Sequence, residues 1–340
     1  MKGRTIVLDH LNDREAAALI VDGQLDDFLI EGDAPRPGTI YNAITERPVK
    51  GQGGMFVKTP DGSGFLRQVK GLAPGQTIKV QVAGYAEPGK AIPLTTKLMF
   101  KSRYAIVTPD APGINVSRQI KDDDARDALL AIAHDVQSDG GFGMILRSSC
   151  VAADPQEIAE DLAQMLDLAH AVFDDDRAET AVLAQGDGPH VLAWRDWTDR
   201  AEVITLPGGF ETHGVLDRLD ALCTDHVPLG NAGGMYVEGT RALVAVDVNT
   251  GTNTSFAAGV AANIACAKAL PRALRLLGLG GQITIDLAPM PKKDRKGFEA
   301  ALRSAFRSDD IETALVGWTP LGHFELQRKR ARVPLKEVLT

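Results

Sequence analysis

ALVAVDVNTG at residues 242–251 and GGQITIDLAPM at residues 280–290 bracket an Ala- and Leu-rich stretch, and their reading decides the fold. Each run is short, continuous and apolar, rich in Val and Ile. Each stops at an aspartate, Asp247 or Asp286. Strands buried in a parallel sheet read this way. Residues 257–277 carry helix formers with apolar positions at helical spacing. Strand, helix and strand of this length make a crossover, which lays its two strands parallel. Asp247 and Asp286 are therefore expected at the same, C-terminal edge of one sheet, where open α/β folds gather their chemistry. On neighbouring strands they would stand about 5 Å apart. Carboxylates that close repel unless a proton or a cation lies between them, and a hard divalent ion is the economical choice: Mg2+, with Mn2+ as a substitute. An aspartate after a strand also serves as a helix N-cap or a turn residue, and spacing alone leaves both readings open.

The remaining 290 or so residues are those of a mixed α/β chain of several subdomains. Charged residues at 24% and hydrophobic ones at 44% describe a globular protein. No apolar run is long enough to span a bilayer, and MKGRTIVLDH lacks the layout of a signal peptide, so the cytoplasm is expected. Cys150, Cys223 and Cys266 are far apart and odd in number, which disfavours a disulfide framework or a cysteine zinc site. A net charge of −8 argues against nonspecific coating of nucleic acid. It leaves room for a nucleic-acid enzyme, because local patches and metal ions can supply the positive field. QRKRARVPLK near the C-terminus is such a patch, with Arg328, Lys329, Arg330, Arg332 and Lys336, although basic tails are often merely solvated. Walker A, GxSxG, HExxH and GxGxxG motifs are all missing, which disfavours ATP use, serine hydrolysis and dinucleotide chemistry.

In chain order, the first thirty-odd residues predict two strands turning at Asp22 and Gly23, and APRPG marks a boundary. Short β runs punctuated by glycine follow, as far as about Pro109, spaced as in a small barrel of the OB type. Phe56 and Phe65 lie on its strands and Lys90 in a loop, where they would stack and hold unpaired bases; the alternative is that both rings are core. Two helices are predicted over DDDARDALLAIAHDV and DPQEIAEDLAQMLDLAHAVF, the second capped by Asp154. GGFGMILRSSC between them reads as a strand ending at Arg147 and Ser148, which could grip a phosphate or lie idle at the surface. TAVLAQ, PHVLAWRD and AEVITLP read as strands, HGVLDRLDALC and DRKGFEAALRSAFRSD as helices, and TALVGWTPLGHFELQRKR as a last strand with its basic run.

These residues together resemble the ribonuclease E/G family of bacterial endoribonucleases. The specific part is the pairing of ALVAVDVNTG with GGQITIDLAPM, which resembles the family's catalytic core. MKGRTIVLDH with AALIVDGQLDDFLIEG resembles its N-terminal half-domain, TIYNAITE through PLTT its S1-type insertion, GFGMILRSS its 5′-sensor segment and HFELQRKR its closing strand. The resemblance implies an RNase H-like part at 1–36, an S1-type OB-fold at 37–110, a 5′-sensor segment at 111–178, a second RNase H-like part at 179–226, and a DNase I-like catalytic subdomain at 227–340. It implies Asp247 and Asp286 as metal ligands with Asn249 as their catalytic companion, Phe56, Phe65 and Lys90 as RNA-holding residues, and Arg147 with Ser148 as the grip on a 5′-monophosphate. The implied reaction is hydrolysis of single-stranded RNA to 5′-phosphate and 3′-hydroxyl ends, with Mg2+ activating water and polarising the phosphate.

Several positions depart from the family pattern. Pro289 stands where an acidic residue is usual, Ala265 stands where glutamate is, and Pro271 is expected to kink or break the connecting helix. No arginine near Glu312 and Thr313 matches a further sensor position. The Cys-x-x-Cys of the family's zinc link is missing, so neither structural zinc nor a zinc-linked tetramer is expected, and a homodimer would use other surfaces. The departures keep alive an RNA-binding protein of the same fold with weak or lost catalysis. Paired aspartates alone would also serve a metal-dependent phosphatase or nuclease of unrelated fold.

Overall fold

Two tight turns set the first layer. In this computed structural model, which describes residues 3–49, 51, 53–137 and 141–339, β1 (Arg4–Leu11), β2 (Arg14–Val21) and β3 (Gln24–Ile30) form an antiparallel meander. Asn12, Asp13, Asp22 and Gly23 all have positive φ, from 49 to 80°. That is the conformation a two-residue hairpin turn needs, and Asn, Asp and Gly adopt it most readily. The expected pair of strands is thus three, because Asn12 and Asp13 turn the chain as Asp22 and Gly23 do.

The chain divides into two compact units, one of residues 33–200 and the other of residues up to 32 with those from 201 on. In the first unit, β4 (Ile40–Val49), β5 (Gly54–Thr59), β6 (Gly62–Leu66), β7 (Thr77–Val82) and β8 (Ile92–Thr95) close a ring in the order β4-β5-β6-β8-β7, with β7 pairing back onto β4. Closure removes the edges a five-stranded sheet would otherwise expose. Tyr41, Ala43, Met55, Val57, Leu66, Val80, Val82 and Leu94 fill the ring.

A second sheet follows. β9 (Phe100–Lys101), β10 (Ala105–Thr108), β11 (Ile114–Val116) and β12 (Gly143–Leu146) pair in the order β11-β12-β10-β9. Residues 100–108, assigned above to the barrel, belong here instead. α1 (Asp123–Val136) and α2 (Pro155–Phe173) cover this sheet. Asp122 and Asp154 cap them, each side chain accepting a backbone N–H of the first turn. β13 (Ala181–Ala184) pairs antiparallel with β4, so residues 179–200 stay with the barrel's unit and apart from 201–226. PHVLAWRD is no strand but α3 (Pro189–Asp196). Pro189 occupies its first turn, where a missing N–H costs nothing, and only Pro189 and Ala193 are buried. Four-residue spacing had been hidden by the high β propensity of Val191 and Trp194.

In the other unit, β14 (Glu202–Ile204) adds to β1 in parallel, and α4 (Gly209–Thr212) and α5 (Val215–Leu222) pack on this sheet through Phe210, Val215 and Leu219. Then come β15 (His226–Pro228), β16 (Gly234–Gly239), β17 (Val244–Asn249), α6 (Phe256–Leu276), β18 (Gly281–Asp286), α7 (Arg295–Arg307), β19 (Thr313–Trp318), β20 (Phe324–Arg328) and α8 (Leu335–Leu339). The strands form one sheet in the order β15-β16-β17-β18-β20-β19, with α6 and α7 on its apolar face. α6 is not broken at Pro271, which lies inside its continuous span. Pro271 is buried within a helix whose neighbours on both sides are packed, and tertiary burial outweighs the lost helical hydrogen bond.

The basic run also needs correcting. On β20, Phe324, Leu326 and Arg328 share the inward side by alternation, so Arg328 is fully buried and Lys329 alone of the pair is exposed. Arg328 pairs with buried Asp309, which also accepts a bond from Arg275 at 2.6 Å. Arg275 continues to Asp26 at 3.3 Å, and Arg332 reaches Asp27 at 3.0 Å. Arg328 is therefore a structural cation rather than part of a solvated tail. Removing one member of a buried ion pair leaves the other uncompensated, at about 3–5 kcal/mol. Asp309→Ala is expected to lower unfolding free energy by that amount in urea titration, and a loss below about 1 kcal/mol would mean that the cluster is hydrated.

Candidate active site

β17 and β18 lie side by side and parallel, in register from Val244 opposite Ile283 to Asp247 opposite Asp286. The crossover helix makes this pairing available, since parallel neighbours cannot be joined by a tight turn. Val244, Val246, Val248, Ile283 and Ile285 point to the helices, and Asp247, Asn249 and Asp286 to the open face. Two carboxylates so placed on a polar face are costly to hold together unless something positive joins them.

Each carboxylate has a polar companion. The Asn249 amide donates to Asp247 Oδ2 at 2.7 Å. That bond follows from the two-residue period, which puts both side chains on one face. His323, at the turn before β20, brings Nε2 to 3.7 Å from Asp286 Oδ1. The row continues across the sheet, where Tyr236 stands opposite Asp247 and His226 opposite Tyr236. The His226 and Tyr236 rings lie 5.0 Å apart. Sequence reasoning missed His226, Tyr236 and His323. Alternation in GMYVEG marks Tyr236 as outward, but only the register between distant strands brings these residues beside the aspartates.

The segment after Asp286 is held by α6. Asn263, fully buried, donates to the Ala288 carbonyl at 2.9 Å and accepts from the Ala288 N–H at 3.0 Å. Gly259, one turn earlier, lies so close under the Pro289 carbonyl that no Cβ would fit. Pro289 thus sits in a clamped stretch of backbone, and Ser255 caps the same helix by accepting from the Ala258 N–H.

Among the described residues no three His, Cys, Asp or Glu side chains gather as a metal cage. The donor set suits Mg2+ all the same, because that ion commonly binds through one or two carboxylates and keeps several waters. Asp247 and Asp286 are the residues that could hold it, with Asn249 orienting the first.

The barrel carries a second candidate surface. Phe56 on β5 stands opposite Phe65 on β6, with ring centroids 5.1 Å apart. Both are partly exposed, while Met55, Val57, Gly64 and Leu66 on the alternate positions are buried, which sets the core reading aside. The Phe65 ring lies over Gly54, where any Cβ would collide with it, and Arg47 stacks on Phe56 with its guanidinium 5.1 Å from the ring centroid. Lys90, in the loop between β7 and β8, is exposed and ion-paired to Glu87. The surface is aromatic, cationic and open, as a platform for unpaired bases must be.

Arg147 lies in a different setting. It precedes the short 3-10 helix Ser148–Ala152, and its guanidinium donates to the Ser102 carbonyl at 2.6 Å, the Arg195 carbonyl at 3.1 Å and Asp196 at 3.1 Å. Arg195 in turn pairs with Asp187 and Asp196. Burial pushes the Asp196 carboxyl up, but the two guanidiniums outweigh it and hold it below the usual carboxylate range. Two cations and two anions balance, so Arg147 already has a structural task, whereas Ser148 is exposed.

Placement on the outer face of the barrel has a measurable consequence. Phe65→Ala is expected to cost about 0.5–1.5 kcal/mol of stability, the worth of an aromatic pair. A loss of about 3–5 kcal/mol in denaturant titration would return Phe65 to the core.

Comparison with known proteins places the chain in a family. The model of the ribonuclease E/G family matches residues 99–205 and 198–331, more than half of the chain. Ribonuclease G of Salmonella typhimurium is 26% identical over 95% of this chain and 79% of its own length. Ribonuclease G of Escherichia coli gives the same figures, 26%, 95% and 79%. Ribonuclease E of Nostoc is 24% identical over 93% of this chain and 54% of its own length. With the matched residues covering both β17–α6–β18 and the sheet that carries Arg147, the chain belongs to the ribonuclease E/G family.

Proposed function

We propose that the protein is a Mg2+-dependent endoribonuclease that hydrolyses phosphodiester bonds of single-stranded RNA to 5′-phosphate and 3′-hydroxyl ends, in cytoplasmic RNA processing or decay. The observation that carries this reading is the in-register pairing of Asp247 with Asp286 on the open face of a sheet, in a chain of this family. On the same reading, β1–β3 with β14 are the RNase H-like part, the closed ring is the S1-type OB-fold, and the six-stranded sheet is the DNase I-like part.

The residues divide the work. Asp247 and Asp286 hold the ion, and Asn249 keeps the Asp247 carboxylate in one orientation through its 2.7 Å bond. The ion, when bound, supplies Lewis-acid polarisation of the phosphate and a more acidic water. Asn263 holds the backbone at Ala288, two residues after Asp286, and so limits movement of this end of the strand. Phe56, Phe65 and Lys90 hold unpaired bases and backbone of RNA.

Incubation of the purified protein with 5′-monophosphorylated single-stranded RNA and Mg2+ tests the reading. Internal cleavage is expected, stopped by EDTA, and Asp247→Asn and Asp286→Asn are each expected to slow it by roughly 100-fold or more while RNA is still bound. Binding without cleavage by the wild type, unaltered by Asp247→Asn, would establish an RNA-binding protein instead. Equal cleavage of DNA would favour a general phosphodiesterase. For the sensor, Arg147→Ala is expected to narrow the difference in rate between 5′-monophosphate and 5′-triphosphate substrates. Wild-type rates that do not differ would leave Arg147 only its bonds to Ser102, Arg195 and Asp196.

A further inference from the structure

We propose that Tyr236 and His226 form a stacking subsite, beside the paired aspartates, for one unpaired nucleobase of the nucleotide flanking the cleaved phosphate. The inference rests on the nuclease reading above and adds to it the residues that seat the substrate at the catalytic sheet.

Tyr236 is 42% exposed on the open face of β16, between buried Met235 and Val237. Its position is set by alternation, and its register partner is Asp247. Neighbouring strands lie about 5 Å apart, so a base against Tyr236 is one strand away from the carboxylate. His226 is exposed as well, stands opposite Tyr236 on β15, and packs its ring at 52° to the phenol. The two rings wall a groove of about 480 Å³ lined by His226, Gly233, Gly234, Tyr236, Asn249 and Gly251. That volume falls within the range of about 300–1,000 Å³ usual for small-ligand sites.

The glycines are what make the groove. The His226 ring lies directly over Gly234, where any Cβ would collide with the imidazole. Gly233 approaches the Asn249 carbonyl just as closely, at a φ of 116° that other residues rarely adopt. Gly251, at a φ of 67°, has open space where its Cβ would be and leaves the far side clear. Among the described residues no lysine or arginine lines the groove, so its chemistry suits a base rather than a phosphate. Asn249 joins the groove to the site, since the same side chain bonds Asp247. An aromatic face beside polar backbone accepts any of the four bases, because every base has a π-face to offer.

The test uses the full chain and a 5′-monophosphorylated single-stranded RNA cut at one bond, together with versions carrying an abasic nucleotide on either side of that bond. Binding is measured in EDTA and cleavage in Mg2+. Tyr236→Ala is expected to weaken binding by about 5- to 150-fold, the range of a base–aromatic stack, and Tyr236→Phe is expected to keep wild-type affinity. One abasic RNA should bind the wild type more weakly by a similar factor and should not discriminate further against Tyr236→Ala. Equal affinity of the wild type for intact and abasic RNAs overturns the subsite whatever the variants do, including a Tyr236→Ala protein that fails to fold. Loss of cleavage in Asp247→Asn alongside unchanged binding by Tyr236→Ala would remove the subsite and leave the nuclease. Cleavage that Asp247→Asn leaves unaltered, with the abasic discrimination intact, would remove the catalytic role of the aspartates and keep a base-binding groove.

Discussion

Parallel pairing of two strands that each end in aspartate is the constraint on which the rest of this unit depends. A chain can achieve it only by leaving the sheet and returning over one face, and residues 256–276 make that return as one long helix. α6 meets β16, β17, β3 and α7, and it buries ten of its 21 residues while Ala257, Ala261 and Lys268 stay exposed. Small residues follow from that: Gly259, Ala262, Cys266, Ala267 and Ala273 let the backbone approach its neighbours. The one buried amide on the helix, Asn263, is tolerated because both ends of it are bonded to Ala288. The same helix thus creates the parallel pairing and fixes the backbone that follows it.

Charge is used differently on the two sides of this sheet. On the covered side, Arg328, Asp309 and Arg275 compensate one another within the protein and extend to Asp26 on β3. On the open side, Asp247 and Asp286 have, among the described residues, only an amide and an imidazole as companions. A compensated cluster tolerates no newcomer, and an uncompensated pair invites one. The balanced group around Arg147 belongs with the first kind, which is why an arginine at the end of a strand is weaker evidence for a phosphate site than an aspartate pair is for a cation.

Much of the fold was legible where local pattern and tertiary environment agree. Val and Ile runs ending at Asp247 and Asp286 became neighbouring parallel strands, and the glycine-punctuated runs became a closed ring. Asp154 capped its helix as its position implies. Legibility failed where only long-range contacts decide. PHVLAWRD has strand-forming residues, but Gly188 and Pro189 start a helix whose buried positions are four apart. Arg328 reads as one of a basic run until β20 is placed, when alternation sends it inward to Asp309. Phe56 and Phe65 could be assigned to neither face until their strands were paired. For the same reason the open-face row of His226 and Tyr236 was invisible: no short stretch of sequence contains it, and register alone assembles it.

The parallel pairing of β1 with β14 joins residues roughly 200 positions apart, with an entire compact unit of sequence between them. During synthesis, β1–β3 leave the ribosome before the unit that follows them and can form their hairpins at once. The edge of β1 must then wait, at about 5–20 residues per second, for some ten to forty seconds before its partner exists. Throughout that interval the intervening unit can close its barrel and cover its second sheet, because all of its strand partners lie within it. An exposed edge is a site for wrong pairing, and two crowded nascent chains would offer each other the same one. β1 bears Arg4 and Asp9 among its apolar residues, charges that discourage such pairing while the strand waits. The inserted unit therefore imposes an order of assembly, in which the open edge of β1 is paired only after that unit has been made.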